Sequence, residues 1–334
     1  MSPVQISLVD VASDLPETLV DNDYFTSQSD APEHPMFRGT RSRRHMGADD
    51  TASGMIARAA QRIIDRLDLD VTRDIDVILT NVSLPDEPFT GCGAVVAKRL
   101  GVRPRQIVDL ANGGCISFVF MLEQARALFA TTGARSALIA NVQTAAGRVF
   151  AHERNRRLPQ SAVPGDGCGV AYVRADDSAP VLSIVTRNYP DFAEDMRSCG
   201  GGPAWWEPRA EPLNLDFSES KLASIIARGN RMVPDVLRAA LDEARLAPSD
   251  VACLVTNQPN RTFLRNWREA IEMPESRHVD TFDDYGNLFG AAVPIGIEKA
   301  CERGVLRPGD VLLIGGFSHA GDYAGAAAVR WRVH

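Results

Sequence analysis

Cys115 is the residue whose surroundings best suit chemistry. It follows "DLANGG" and opens the apolar run "CISFVFMLEQARALFATTG", which reads as a strand ending at Ala111, a tight Asn-Gly-Gly corner and a helix starting at Cys115. A thiol in the first turn of a helix faces unpaired N–H groups and the positive end of the macrodipole, and both favour the thiolate. Gly113 and Gly114 let further backbone amides approach the same point, as an oxyanion site requires. That combination suits a nucleophile that takes up an acyl group as a thioester. The alternative is that Cys115 is a small buried residue, the common fate of a free cysteine, and this is the expectation for Cys92, Cys168, Cys199, Cys253 and Cys301. No CxxC spacing occurs among the six, which argues against a metal cluster or a disulfide framework. Gly165, Asp166 and Gly167 read as a turn rather than a phosphate loop, because the lysine and helix start of such a loop are missing.

Elements that could position this cysteine alternate between strand and helix periods along the whole chain, which indicates a layered α/β fold. Strands are expected at 4–11, 75–83, 106–111, 136–142 and 167–174, with helices at 51–67, 91–100 and 115–132. The pattern resumes with the strand "PVLSIVTRN", a helix at 218–246, the strand "DVACLVTNQ", helices at 262–270 and 288–303, and the strands "DVLLIGGF" and "YAGAAAVRW". A strand ending in a Thr-Asn corner occurs twice, in "DVILTNVS" and "ACLVTNQP", which suggests an internal duplication. The expected division is 1–176, carrying the cysteine, and 177–334. Residues 195–216, rich in Gly, Pro and aromatics, read as a surface excursion in which Trp205 and Trp206 either line an opening or pack as a cap.

Composition narrows the function. A 45% hydrophobic, 24% charged chain of 334 residues is that of a globular protein, and a net charge of −7 disfavours nucleic acid and anionic lipid as partners. No apolar run approaches the ~20 residues of a membrane span, and no basic-then-apolar leader precedes "VQISLVDVA". A cytoplasmic protein with reduced thiols is expected.

Seven blocks together carry a family resemblance: "GTRSRRHMGADDTAS", "DEPFTGCGAVVAKRLG", "ANGGCISF", "PGDGCGVAYV", "TNQPN", "YGNLFGAAVP" and "GGFSHAGDYAGAAAVRW". In that order and spacing the chain resembles the β-ketoacyl-acyl-carrier-protein synthase III group of the thiolase superfamily, including its acyltransferase relatives in natural-product pathways. The resemblance implies a five-layer αβαβα thiolase fold of two similar halves and a homodimer. It implies Cys115 as the acylated nucleophile, Asn287 as the family's asparagine, and Phe89 as an aromatic that crosses the dimer interface. The donor implied is a phosphopantetheine thioester, on acyl carrier protein or coenzyme A, with no permanently bound cofactor or metal.

Two departures bear on the reaction. The family's His-Gln-x-Asn reads "NQPN" here, so Asn257 stands at the histidine position; an amide can donate to a thioester carbonyl but cannot shuttle a proton. The glycine-rich oxyanion loop reads "GFSHAGD", which places Ser318 and His319 in a loop expected near Cys115, with Asp322 able to orient the imidazole. His319 is either a base or a surface residue; His34, His45, His152 and His278 are expected to be solvent or packing residues. Arg38, Arg41, Arg148, Arg261, Arg265 and Arg268 are candidates for the mouth of the donor channel. The leading expectation is transfer of an acyl group from Cys115 to a small hydroxyl or amine acceptor. Decarboxylative condensation with a malonyl thioester is the alternative, and a silent partner subunit is a third, against which the intact Cys115 argues.

Overall fold

The computed structural model describes residues 4–26, 40–111, 113–198, 207, 212–217 and 219–332. The first half runs through β1 (Ser7–Asp14), β2 (Thr18–Asp21), α1 (Asp23–Thr26), β3 (Ser42–His45), α2 (Ala52–Leu67), β4 (Val77–Val82), α3 (Gly93–Leu100), β5 (Gln106–Asp109), α4 (Ser117–Thr132), β6 (Ser136–Gln143) and β7 (Gly167–Arg174). The second comprises β8 (Val181–Asn188), β9 (Met196–Ser198), β10 (Leu215–Phe217), α5 (Glu219–Ala244), β11 (Val251–Thr256), α6 (Arg261–Ala270), α7 (Phe282–Tyr285), α8 (Ala292–Glu302), β12 (Val311–Ser318) and β13 (Tyr323–Arg330).

Two sheets follow one plan. The first has the order β1-β7-β6-β4-β5 and the second β8-β13-β12-β11. In each, the last strand of the half is antiparallel to both neighbours, β7 to β1 and β6, β13 to β8 and β12. In each, the next pair is parallel, β4 with β6 and β11 with β12. Strands covered on both faces read as continuous apolar runs, and β12 is buried along its whole length.

Helices complete five layers. The amphipathic α2 buries Met55, Ile56, Ala59 and Ile63 against the outer face of the first sheet, and Thr51 caps its start by accepting the Gly54 N–H at 3.1 Å. Between the sheets, Phe118, Val119 and Leu122 of α4 and Val293 and Ile297 of α8 share one core with Leu79 of β4 and Ile314 of β12. Burying each such side chain stabilises the fold by roughly 1.5–3 kcal/mol, which makes this central layer the rigid support of whatever stands at its helix starts. Helices α5 and α6 close the outer face of the second sheet, Trp267 of α6 being buried in that layer.

Several boundaries differ from the sequence expectation, three of them with a bearing on the site or its support. The first strand spans Ser7–Asp14 rather than 4–11, because Asp10 and Asp14 are buried inside it by pairing with Arg66 and Arg332, and with Arg58, which breaks the apolar pattern. Helix α4 starts at Ser117, and Cys115 belongs to a tight 3-10 turn, Gly114–Ile116, ahead of it. Likewise α8 starts at Ala292 after a 3-10 turn at Phe289–Ala291, where Phe289 has φ 49°. The β2–β3 hairpin and the β9–β10 ribbon escape the sequence reading, since pairing of three- or four-residue strands depends on distant partners. Among the described residues no helix is long and apolar enough to cross a membrane, and no group of three or more His, Cys, Asp or Glu side chains could hold a metal.

Candidate active site

At the end of the first sheet the chain leaves β5 and turns through Gly113 (φ 87°) and Gly114 (φ 45°), a left-handed backbone that favours glycine, before presenting Cys115. The Ile116 N–H that follows is held from the other half of the molecule, by the Ser318 hydroxyl at 2.9 Å. Cys115 is half-buried and lines a cavity of ≈ 270 Å³ together with Asn257, Asn287 and His319. Burial pushes its thiol up to about 12; a hydrogen bond from Asn257 and the residue's own N–H work the other way, and the charge of Asp322 adds to the rise. Burial thus acts against the ionised form.

His319 is oriented by Asp322. Its Nδ1 lies 2.9 and 3.0 Å from the two oxygens of Asp322, and Tyr323 packs edge-on against the ring at 5.9 Å between centroids. A carboxylate at Nδ1 fixes the proton there and leaves Nε2 as the acceptor. Nε2 faces the nucleophile's turn: a Cβ on Gly114 would lie 2.7 Å from it.

The two asparagines are held differently. Asn257, just beyond β11, donates from Nδ2 to the Phe317 carbonyl at 3.0 Å and accepts the Phe317 N–H at 3.3 Å, while its second N–H serves Cys115. A Cβ on Gly316 would lie 2.1 Å from Asn257 Oδ1, so only glycine admits this side chain. Asn287 accepts the Phe289 N–H at 3.0 Å through Oδ1 and lines the cavity. Apolar groups form most of the remaining wall, among them Val142, Phe150, Ile225, Phe263 and Phe317.

Other expected site residues are placed elsewhere. Ser318 is fully buried and braces the Cys115 turn, accepting from Ile116 and donating to the Gly113 carbonyl, so it positions the turn and does not line the cavity as a substrate contact. Arg261 is taken up by Asp280 and Asp283, Arg148 by Asp86 and the Asp50 carbonyl, Arg41 by Asp283 and Asp284, and Arg268 by Glu275. Each of these four guanidinium groups thus has a local acidic partner. Arg265 is exposed; Arg38, His34, Trp205, Trp206 and Cys199 lie outside the described residues. Phe89 is 97% exposed and borders a second, larger cavity that shares Val82, Phe150, Leu215 and Phe289 with the first. His152 is exposed, whereas His45 and His278 are buried and pushed down to about 4 by desolvation. Asp166 holds the N–H groups of Met46, Ala146 and Gly147, and burial raises it to about 6.

The sequence reading missed Asn81, which lines the cavity, and Ser117 and Asn141 beneath it. The Thr-Asn corner was a signal for Asn81; nothing local marks the other two.

Comparison with known proteins places this geometry. Residues 241–331 match the family model "3-Oxoacyl-[acyl-carrier-protein (ACP)] synthase III C terminal". The chain is 25% identical over 338 residues to the β-ketoacyl-[acyl-carrier-protein] synthase III of Acaryochloris marina, covering 98% of both chains. It is 27% identical over 302 residues to that of Roseiflexus sp., covering 88% of both. Among solved structures, 3-oxoacyl-(acyl carrier protein) synthase III from Pseudomonas aeruginosa PAO1 superposes with TM-score 0.82 at 24% identity, covering 98% of both chains. The priming β-ketosynthase of the R1128 polyketide pathway does so with TM-score 0.85 at 21% identity, covering 99% of this chain and 98% of that one. The fold is therefore the thiolase fold. The names of these relatives are those of β-ketoacyl synthases, and so agree with the alternative expected activity better than with the leading one.

Proposed function

We propose, since this chain is a β-ketoacyl synthase III-like protein of the thiolase superfamily, that it is an acyltransferase working through S-acyl-Cys115, with His319 as its proton shuttle. The donor is a coenzyme A or acyl-carrier-protein thioester. The observation that carries the reading is one cavity shared by Cys115, Asn257, Asn287 and a His319 anchored on Asp322. In the first half-reaction Nε2 of His319 takes the Cys115 proton and the sulfur attacks the donor carbonyl. The tetrahedral oxyanion collapses, the carbonyl carbon–pantetheine sulfur bond breaks, and His319 returns the proton to the departing thiolate. In the second, a hydroxyl or amine enters, gives its proton to His319, takes the acyl group, and Cys115 recovers a proton.

Transfer to oxygen or nitrogen needs a base beside the nucleophile, which His319 supplies, and Asn257 cannot. The relatives' names favour a second reading, decarboxylative condensation, in which Asn287 and Asn257 donate to the malonyl thioester carbonyl. Incubating acyl-loaded protein with malonyl-acyl carrier protein separates the two. Carbon dioxide release with a β-ketoacyl product would establish condensation and overturn the transfer reading; acyl esters or amides from added alcohols or amines, without carbon dioxide, are the expected result.

The division into halves at residues 176 and 177, one supplying Cys115 and the other Asn257, Asn287 and His319, belongs to the same proposal. So does a homodimer, supported by the exposure of Phe89 and of Ile107 and Val108 on the edge strand β5.

A further inference from the structure

We infer that Ser117 is a positioning residue for acyl transfer, and that with Asn81 and Asn141 it fixes the peptide whose N–H faces the developing oxyanion; the inference rests on the acyltransferase reading. Asn81 and Asn141 are directly paired across the parallel strands β4 and β6, so both project from one level of one sheet face. Ser117 begins α4 two residues after the nucleophile, and its hydroxyl is where the two amides meet. Asn141 Nδ2 donates to Ser117 Oγ at 2.6 Å, and the single hydroxyl hydrogen lies between Asn81 Oδ1 at 2.9 Å and the Gly114 carbonyl at 2.7 Å. Asn81 is itself oriented by donating from Nδ2 to the Leu110 carbonyl at 2.8 Å, which settles which end of its amide faces the serine.

The Gly114 carbonyl and the Cys115 N–H belong to one planar trans peptide and point in opposite directions. Holding the oxygen down therefore holds the N–H up, on the side of the Cys115 sulfur, where that N–H already lowers the thiol pKa. The second half of the molecule closes on the same group: a Cβ on Gly290 would lie 2.8 Å from both the Gly114 oxygen and Ser117 Oγ, and 2.9 Å from Asn141 Nδ2. Ser117 and Asn141 are fully buried, so the clamp has no solvent to replace a lost partner. A hydroxyl at this position is thus a support for transition-state charge, acting through a backbone amide and touching no substrate.

Two reactions of the same sulfur test this. Acylation passes through a tetrahedral oxyanion; alkylation by iodoacetamide does not. Single-turnover acylation of Cys115, by whichever of acetyl-, hexanoyl- or benzoyl-coenzyme A loads the wild-type protein, is followed by mass spectrometry beside the alkylation rate. Ser117→Ala is expected to slow acylation by roughly 10- to 100-fold and alkylation, which the displaced N–H assists only by favouring the thiolate, by no more than about threefold. Asn141→Ala, which keeps the hydroxyl but removes its donor, should slow acylation by about 3- to 10-fold with the same selectivity, and decides the matter if Ser117→Ala does not fold. Equal slowing of both reactions, or unchanged acylation, would overturn the inference while leaving the transferase reading in place. A wild-type protein that is alkylated yet never acylated would overturn both.

Discussion

The two Thr-Asn pairs, Thr80–Asn81 inside β4 of the first sheet and Thr256–Asn257 at the end of β11, the matching strand of the second, start from the same sequence and end in different work. In the first, the Thr80 hydroxyl donates to Asp109, and Asn81 ties the Leu110 carbonyl to Ser117 beneath the nucleophile's turn. In the second, Thr256 Oγ1 lies 3.1 Å from the buried His278, and Asn257 clamps the Phe317 backbone while donating to the Cys115 sulfur. One corner supports the backbone that carries the reacting atom; the other reaches the atom itself. Equivalent local chemistry is thus divided between scaffold and site by what the rest of each half brings near it.

Removing the atom both corners serve has the largest expected effect: Cys115→Ala should abolish the acyl adduct seen by mass spectrometry. His319→Ala should lower steady-state acyl transfer by about 10²- to 10³-fold, the usual worth of a positioned base. Asp322→Asn, which leaves an acceptor oxygen but no charge, should cost about tenfold, with a changed pH profile of kcat as the check. The corners themselves separate next. Asn257→Ala should slow both acylation and iodoacetamide alkylation by about tenfold, since it strips a hydrogen bond from the thiolate. Asn81→Ala should slow acylation by a similar factor and alkylation hardly at all; equal effects of the two variants on alkylation would erase the distinction.

A separate effect is on stability. His45 and His278 are held neutral in the fold at about 4, against 6.5 when unfolded, so the unfolded chain binds more protons between those values. Stability is therefore lost as pH falls from 6.5 towards 4, by up to about 3 kcal/mol for each histidine. Asp166, raised to about 6 from 3.8, binds its proton preferentially in the fold and offsets part of that loss. Chemical denaturation at pH 7.5, 5.5 and 4.5 should show a net decline; a flat profile would mean the two histidines are not buried neutral.

Much of the layered plan is legible because each central element carries its own period. The runs that become β4, β6, β12 and β13 are apolar on both faces, and α2 and α5 show a helical stripe, so their existence follows from residues within a few positions of one another. Cys115 was legible too, because a strand, an Asn-Gly-Gly corner and an apolar helix are contiguous. The ion pairs that neutralise Arg148 and Arg261 were not, since Asp86 and Asp280 are identified as partners only by folding. Nor was Ser117, whose partners come from strands β4 and β6, far from it in the chain.

By itself the sequence determined the alternation of strands and helices, the place of Cys115 between a glycine corner and an apolar helix, and the absence of histidine at position 257. Tertiary structure alone decided that burial raises the proton affinity of the Cys115 thiol, that His319 is anchored on Asp322 beside Gly114, and that two asparagines from neighbouring strands meet at one serine. The reason is physical: periodicity and turn chemistry act over a few residues and are written locally, whereas burial, proton affinity and hydrogen-bond partnership depend on which distant segments share a volume of low dielectric.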